Sequence, residues 1–310
     1  MVCTKSRVKK GIGMCVKTRS KAVAEGVAAG VLFGTSAIFT RFLVGLDAFS
    51  ITFWRLLIAS LALLAIAFVF HAPLNFNLMR ENLKEILVLS FFLGLHFVFF
   101  ASAVKDTTIL NATVLVNTTP IFSTIISVFA FRLKPSRLTV LSLIISFIGV
   151  CLIAYAEAPS SQLASISSTL KGDLEATFAA LLIAFYLNYG KVLRGKTGLS
   201  TSIVPIYLFA TFLAFFLDLA VVGMVSMPKS VDAVFSLFGL GLIPTAVAHT
   251  LYFSSLSNLK SFEAATIALL EPIGASLLGV ALFQEVPTHL TVFGAFLVLL
   301  GVAFVAREKE

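Results

Sequence analysis

The sequence predicts an all-α integral membrane protein, with ten transmembrane helices arranged as two inverted five-helix repeats. Three observations lead there. Of 310 residues, 59% are hydrophobic and only 12% charged, a balance far from that of a water-soluble domain. The apolar residues fall in runs of about 20, the length a helix needs to cross about 30 Å of hydrocarbon. The chain also resembles itself at an offset of about 150 residues, the sign of a duplicated unit. A membrane barrel would alternate apolar and polar residues over about 10 positions, which these runs do not.

Taken in order, the runs place spans at 23-44, 49-70, 84-104, 107-131, 138-157, 171-190, 203-224, 233-256, 262-284 and 288-306. An even number returns the chain to its starting side. With the N-terminus inside, the inner segments hold eighteen Lys and Arg, and the outer ones only Lys105, Lys171 and Lys229. The positive-inside rule therefore sets both termini in the cytoplasm. The formal charge of +8 is read as topology, and no nucleic-acid partner is expected. The basic start before AVAEGVAAGVLFG has the layout of a signal peptide, but Glu25 interrupts it, the apolar run continues to Phe39 and nine spans follow. It is read as the first span. Cys3 and Cys15 lie in the tail and Cys151 within a span, so no disulfide is expected.

The self-similarity is clearest where each half ends. LTVLSLIISFIGVCLIA at 138-154 aligns with LTVFGAFLVLLGVAFVA at 290-306, and the same offset sets Pro120 on Pro272. This divides the chain into a basic tail (1-21), a first repeat (22-157), a Ser-rich outer linker (158-169) and a second repeat (170-307). Five spans is an odd number, so the second repeat enters the membrane from the opposite side. Inverted repeats of this kind typify secondary transporters, whose site lies near midplane between the halves.

The residues that break the apolar rule are the site candidates. Glu271, in ALLEPIGASLLG, sets a carboxyl inside a span, where it is costly and normally faces a cavity or a partner. Pro272 deprives the Ala268 carbonyl of its donor, as Pro120 does for Val116. Two interrupted helices at matching positions point to a transporter's binding site. Asn117 and Thr119 lie beside Pro120. His249 and Tyr252 share a helix face, and with Glu271 they would form a polar cluster able to bind substrate or carry a proton. His96 occupies the corresponding span of the first half. With four histidines in the chain, neither a metal nor another cofactor is expected. Tyr186 is a deeper cavity candidate than Tyr189. Arg41 and Arg55 are read as snorkelling to the outer interface, with an Arg55–Asp218 pair as a hypothesis. Trp54 is read as an interfacial anchor. Gly26, Gly30 and Gly34 form a small-residue stripe for close packing, within the bundle or between protomers of a homodimer.

No HExxH, GxSxG or P-loop pattern is present, so neither an enzyme nor ATP-driven transport is expected. FWRLLIA at 53-59, GDLEATFAALLIAFY at 172-186 and LLEPIGASLLGVALFQE at 269-285 carry a family resemblance. From about 22 to 307 the chain resembles the EamA-type transporters of the drug/metabolite transporter superfamily. It departs from their pattern at Leu133, which stands where the second half has Glu285. The resemblance implies a prokaryotic inner-membrane carrier of small organic solutes, often amino acids or related metabolites, commonly outward. The expected function is alternating-access transport of such a metabolite, proton-coupled or by exchange, with lipid and substrate as partners. A channel would need a continuous polar pore, and a scaffold or sensor large soluble parts.

Overall fold

The computed structural model describes residues 18–43, 45–107, 109–157, 170–284 and 286–308. The tail before Thr18, the linker 158–169, Glu285 and the Arg41 side chain lie outside the described residues, as do Cys3 and Cys15. Ten helical stretches are long and apolar enough to cross a membrane, and there are no strands among the described residues. The fold is an all-α, ten-span bundle of two five-helix repeats.

The first span comprises α1 (Arg19–Phe33) and α2 (Thr35–Arg41), hinged at Gly34. The second is α3 (Ala48–Val69), started by Asp47, whose carboxylate accepts from Ser50 N at 2.8 Å. After the short α4 (Phe76–Glu81) come the third span, α5 (Leu83–Asp106), and the fourth, built of α6 (Ile109–Val116) and α7 (Thr119–Phe131). The fifth, α8 (Arg137–Glu157), ends the first repeat. The second repeat runs through α9 (Leu170–Lys196), α10 (Leu199–Val221), a compound eighth span from α11 (Val231–Leu240) to α12 (His249–Ser255), a split ninth of α13 (Ser261–Ala268) and α14 (Glu271–Phe283), and α15 (His289–Arg307).

Three span ends differ from the sequence expectation by four residues or more, one of them the start of α10, at Leu199 rather than 203. Helix α1 begins inside the basic tail, because Thr18 caps it and Arg19 has a buried partner in Glu263. Helix α9 continues past residue 190 to Lys196, because its polar end is anchored: Lys191 donates to Ser257 O at 3.3 Å and Lys196 pairs with Glu85 at 3.1 Å.

The duplication is visible in local chemistry. Helices α8 and α15 start with equivalent caps: Thr139 N donates to Ser136 Oγ, and Thr291 N to Thr288 Oγ1, both at 3.1 Å. Helices α7 and α14 end on left-handed residues, Arg132 and Gln284, each at φ 54°. Contacts between the repeats are reciprocal. Gly149 faces Gly294 across the α8–α15 seam, and its repeat mate Gly301 faces Ser142, the mate of Gly294. A swap of this kind is what a two-fold axis between the helices produces, and small residues let the backbones approach.

The bundle is apolar on its outside as well as in its core. Large apolar side chains such as Phe68, Phe129 and Phe235 cover the outside, while serines, threonines and asparagines are buried between helices. With lipid as the outer solvent, packing and interhelical hydrogen bonds hold the spans together. Asn188 shows this. Its Nδ2 donates to Ala184 O, Ser123 O and Ser123 Oγ, while its Oδ1 accepts from Ser127 and Ser261, tying α9 to α7 and α13.

The glycine stripe serves the bundle. A Cβ on Gly34 would lie 2.3 Å from Ala275 N, and one on Gly30 2.9 Å from Ile267 O, so α1 rests directly on the split ninth span. The stripe is thereby used up within one chain and does not provide the homodimer contact considered from the sequence.

Candidate functional site

Both split spans break at equivalent places, at residues 117–118 and 269–270. Pro120 and Pro272 fall in the first turns of α7 and α14, where a missing N–H costs little because such donors have no helical partner. The Val116 carbonyl stranded by Pro120 is served by the Thr119 hydroxyl at 2.7 Å. Asn117 Nδ2 donates back to Thr113 O at 2.9 Å. Glu271 is the first residue of α14, so its carboxylate stands at a helix N-terminus, where free N–H groups and the helix dipole favour negative charge.

The eighth span adds a third irregularity. Between α11 and α12 the residues Gly241–Ala248 are π-helical around Pro244, a form that concentrates at functional sites. Pro244 cannot donate to the Leu240 carbonyl, and the Thr245 hydroxyl does so instead at 2.6 Å. The same hydroxyl accepts from Arg55 Nε at 3.1 Å. Tyr207 donates to Thr245 O at 3.0 Å, which fixes the segment from α10.

These elements converge on a cavity of about 70 Å³. Glu271, His249, Tyr252, His96, Asn117, Thr119 and Pro120 all line it, with Phe33, Ser36, Arg55 and Phe97. Seven spans contribute, the first, second, third, fourth, sixth, eighth and ninth. Aromatic rings shape the walls. His249 meets Phe33 and Phe97 edge-on at 4.7 and 4.9 Å between centroids, and its ring lies 6.4 Å from that of His96. His96 Nδ1 is 2.9 Å from Ala179 O; a carbonyl only accepts, so that nitrogen carries the proton. His249 Nδ1 is buried with no hydrogen-bond partner.

Other candidates lie elsewhere. Tyr186 does not line the cavity: it is 0% exposed and packs on Phe253 at 5.6 Å between centroids, its hydroxyl without a partner. The side of α9 that Tyr186 occupies was not legible in the sequence. Pro272 shapes the helix behind Glu271 without lining the cavity. Asp218 is buried and accepts from Ser50 Oγ at 2.9 Å; it does not pair with Arg55. Trp54 Nε1 donates to Ser226 O at 3.0 Å. Among the described residues no cluster of His, Cys, Asp or Glu is arranged to hold a metal.

Arg55 is the main correction. It does not snorkel to the interface; it is 3% exposed, its guanidinium stacked 4.0 Å over Phe97 and facing the cavity. The reason is the π segment, which supplies Thr245 as an inward partner. Pro244 followed by Thr245 in GLIPTAVAH was the available signal, since a proline with an adjacent hydroxyl marks an opened helix.

Polar clasps stand at both ends of the bundle. At one, Arg19 binds Glu263 through both carboxylate oxygens at 3.0 and 3.2 Å and donates to Val305 O. At the other, Thr107 and Asn111 donate to Asp173 at 2.6 and 3.1 Å. Asn111 and Glu263 are repeat mates, and each meets the first turn of the opposite repeat's first span.

Comparison with known proteins agrees with this architecture. The EamA-like transporter family matches twice, over residues 21–155 and 170–307. An uncharacterized transporter of Bacillus subtilis (strain 168), YxxF, is 25% identical over 297 residues, covering 95% of this chain and 92% of that protein. An uncharacterized transporter of Archaeoglobus fulgidus is 26% identical over 288 residues, covering 90% and 95%. One solved crystal structure superposes with a TM-score of 0.78 at 16% identity, over 93% of this chain and 96% of that one, which shows the same fold. With ten spans, a doubled family match and a cavity at the seam between the repeats, the chain is a multi-pass membrane transporter and belongs to the EamA-like transporter family.

Proposed function

We propose that the protein is a secondary transporter that moves a small organic metabolite, an amino acid or related solute, outward across the cytoplasmic membrane by alternating access. Both termini are cytoplasmic, and proton exchange or counter-exchange supplies the energy. One observation carries the reading: two helices broken at equivalent positions of inverted repeats meet at one cavity, with Glu271 at the break. Broken helices present unpaired backbone groups and an oriented dipole to a solute. The clasps Arg19–Glu263 and Asp173–Asn111 stand at opposite ends of that cavity's spans and support a cycle in which one opens while the other holds.

In this reading Glu271 takes up and releases the coupling proton, and His249, His96, Tyr252, Asn117 and Thr119 contact the solute. The test is transport in proteoliposomes. Glu271→Gln folds and binds solute yet loses the pH dependence of uptake; unchanged pH dependence in that variant removes Glu271 from coupling. The solute is first found by thermal shift against amino acids, nucleosides, organic phosphates and polyamines, since a ligand of the folded state raises apparent stability.

A further inference from the structure

Arg55 has a role that packing does not explain. A guanidinium carries five N–H donors, and buried arginines are normally paired with a carboxylate. Here one donor, Nε, meets Thr245 Oγ1 at 3.1 Å, and among the described residues no carboxylate lies within 4.0 Å of the group. Its position is nonetheless fixed, by Thr245 on one side and the Phe97 ring 4.0 Å beneath. Stacking on a ring uses the face of the guanidinium and leaves its in-plane donors free. Arg55 lines the cavity, and the donors not spent on Thr245 are available to the solute's space.

A second observation points to the same ligand space: His249, 6% exposed, lines the cavity with Nδ1 unpartnered. Resting on the transport reading above, we propose that Arg55 is the anion-recognition residue of the cavity and receives a solute carboxylate through its paired terminal N–H groups. A planar fork matches a carboxylate in two parallel bonds. Charge balance selects a carboxylate over a phosphate dianion. The cavity holds one fixed cation, Arg55, and one acid, Glu271, so it accommodates one further negative charge only when that charge is balanced. Balance comes from an ammonium on the same solute, facing Glu271, or from a proton on Glu271. The first makes the solute a zwitterion, the second a simple organic acid.

Alanine, leucine and phenylalanine, each with its amide, its decarboxylated amine and its deaminated acid, distinguish these cases. They are assayed by thermal unfolding of the purified full-length protein and by uptake into proteoliposomes. The expected result is that compounds bearing the carboxylate bind at least about tenfold more tightly than their amides and amines, the usual worth of a charge-assisted bond. Arg55→Gln removes that discrimination, and Arg55→Lys, a cation without the fork, restores part of it. Preference for the amino acid over the deaminated acid identifies the zwitterion; equal binding of both, with uptake rising at acid pH, identifies the organic acid. Amides binding the wild-type protein as well as acids do overturns the proposal without any variant having to fold, as does a selective response to organic phosphates. Uptake of solutes without carboxylate preference sinks this inference and leaves the transport reading intact. Failure of every solute in the wider panel to be transported sinks that reading as well.

Discussion

Alanine placed in turn at Gly26, Gly30 and Gly34 probes the contact on which the site depends, the seating of the first span on the broken ninth. The three positions form a graded series. At Gly26 the added Cβ meets only the Ile267 side chain, nearest at 3.3 Å. At Gly30 it lies 2.9 Å from Ile267 O and 3.0 Å from Leu270 Cβ. At Gly34 it would lie 2.3 Å from Ala275 N, 2.5 Å from Gly274 C and 2.7 Å from Glu271 O, all backbone atoms of α14. A side chain can turn aside, but a helix backbone moves only as a body. Gly26→Ala, inside α1, gains helix propensity of about 1 kcal/mol against a small adjustment by Ile267, so it is near neutral or stabilising. Gly34→Ala carries an overpacking cost of about 1–3 kcal/mol, a fall in Tm of a few degrees, with Gly30→Ala between. Because the atoms displaced at Gly34 belong to Glu271 and its first turn, transport falls there out of proportion to stability. The assay is thermal unfolding in detergent with proteoliposome uptake on the same preparations. Equal Tm values across the series, or Gly26→Ala as the most damaging, would refute the packing argument.

Three further substitutions follow from the helix termini. Arg19→Gln leaves Glu263, whose side chain is 1% exposed, without its cation, whereas Glu263→Gln leaves Arg19, at 16%, able to reach water. Orphaning the deeper charge costs more, about 3 kcal/mol against about 1, so Arg19→Gln unfolds at the lower temperature and the double variant lies above it; the reverse order in a thermal scan contradicts this. Asp47 lies just before the second span. Burial opposes its charge, yet the hydrogen bond from Ser50 N prevails and holds its carboxyl below its usual 3.8. A lowered folded-state value stabilises above the unfolded value and is lost as pH falls through the folded one. Asp47→Ala therefore costs about 1 kcal/mol at pH 7, and the gap narrows as pH falls below about 3.8. A gap undiminished at pH 3 would show that the carboxylate's charge contributes nothing.

Each span was legible because hydrocarbon imposes a length and excludes unpaired backbone, leaving helices of about 20 apolar residues as the form that fits. The repeat was legible for a related reason: Pro120, Pro272 and the paired Leu-Thr-Val starts are rare enough in apolar sequence to register against each other, and the structure sets equivalent breaks and caps there. Glu271 stood out on cost alone. What stayed hidden was the direction of each side chain about its helix axis. In water a helix declares its inner face by apolar periodicity; in lipid both faces are apolar and the signal vanishes.

That is why Arg55 and Tyr186 changed places relative to expectation. Arg55, read as interfacial, is drawn inward by a hydroxyl that exists as a partner only because Pro244 opens the eighth span into a π segment. Tyr186, read as cavity-facing, is turned against Phe253. The same holds for Gly26, Gly30 and Gly34, whose spacing announced close packing but not the partner. The sequence by itself determined the number of crossings, the duplication and the positions of the helix breaks, because each follows from a local cost that one residue or one run incurs in hydrocarbon. Tertiary structure alone decided which side chains share the cavity, because that depends on the rotation of seven spans about their axes, set by backbone contacts between segments distant in the chain.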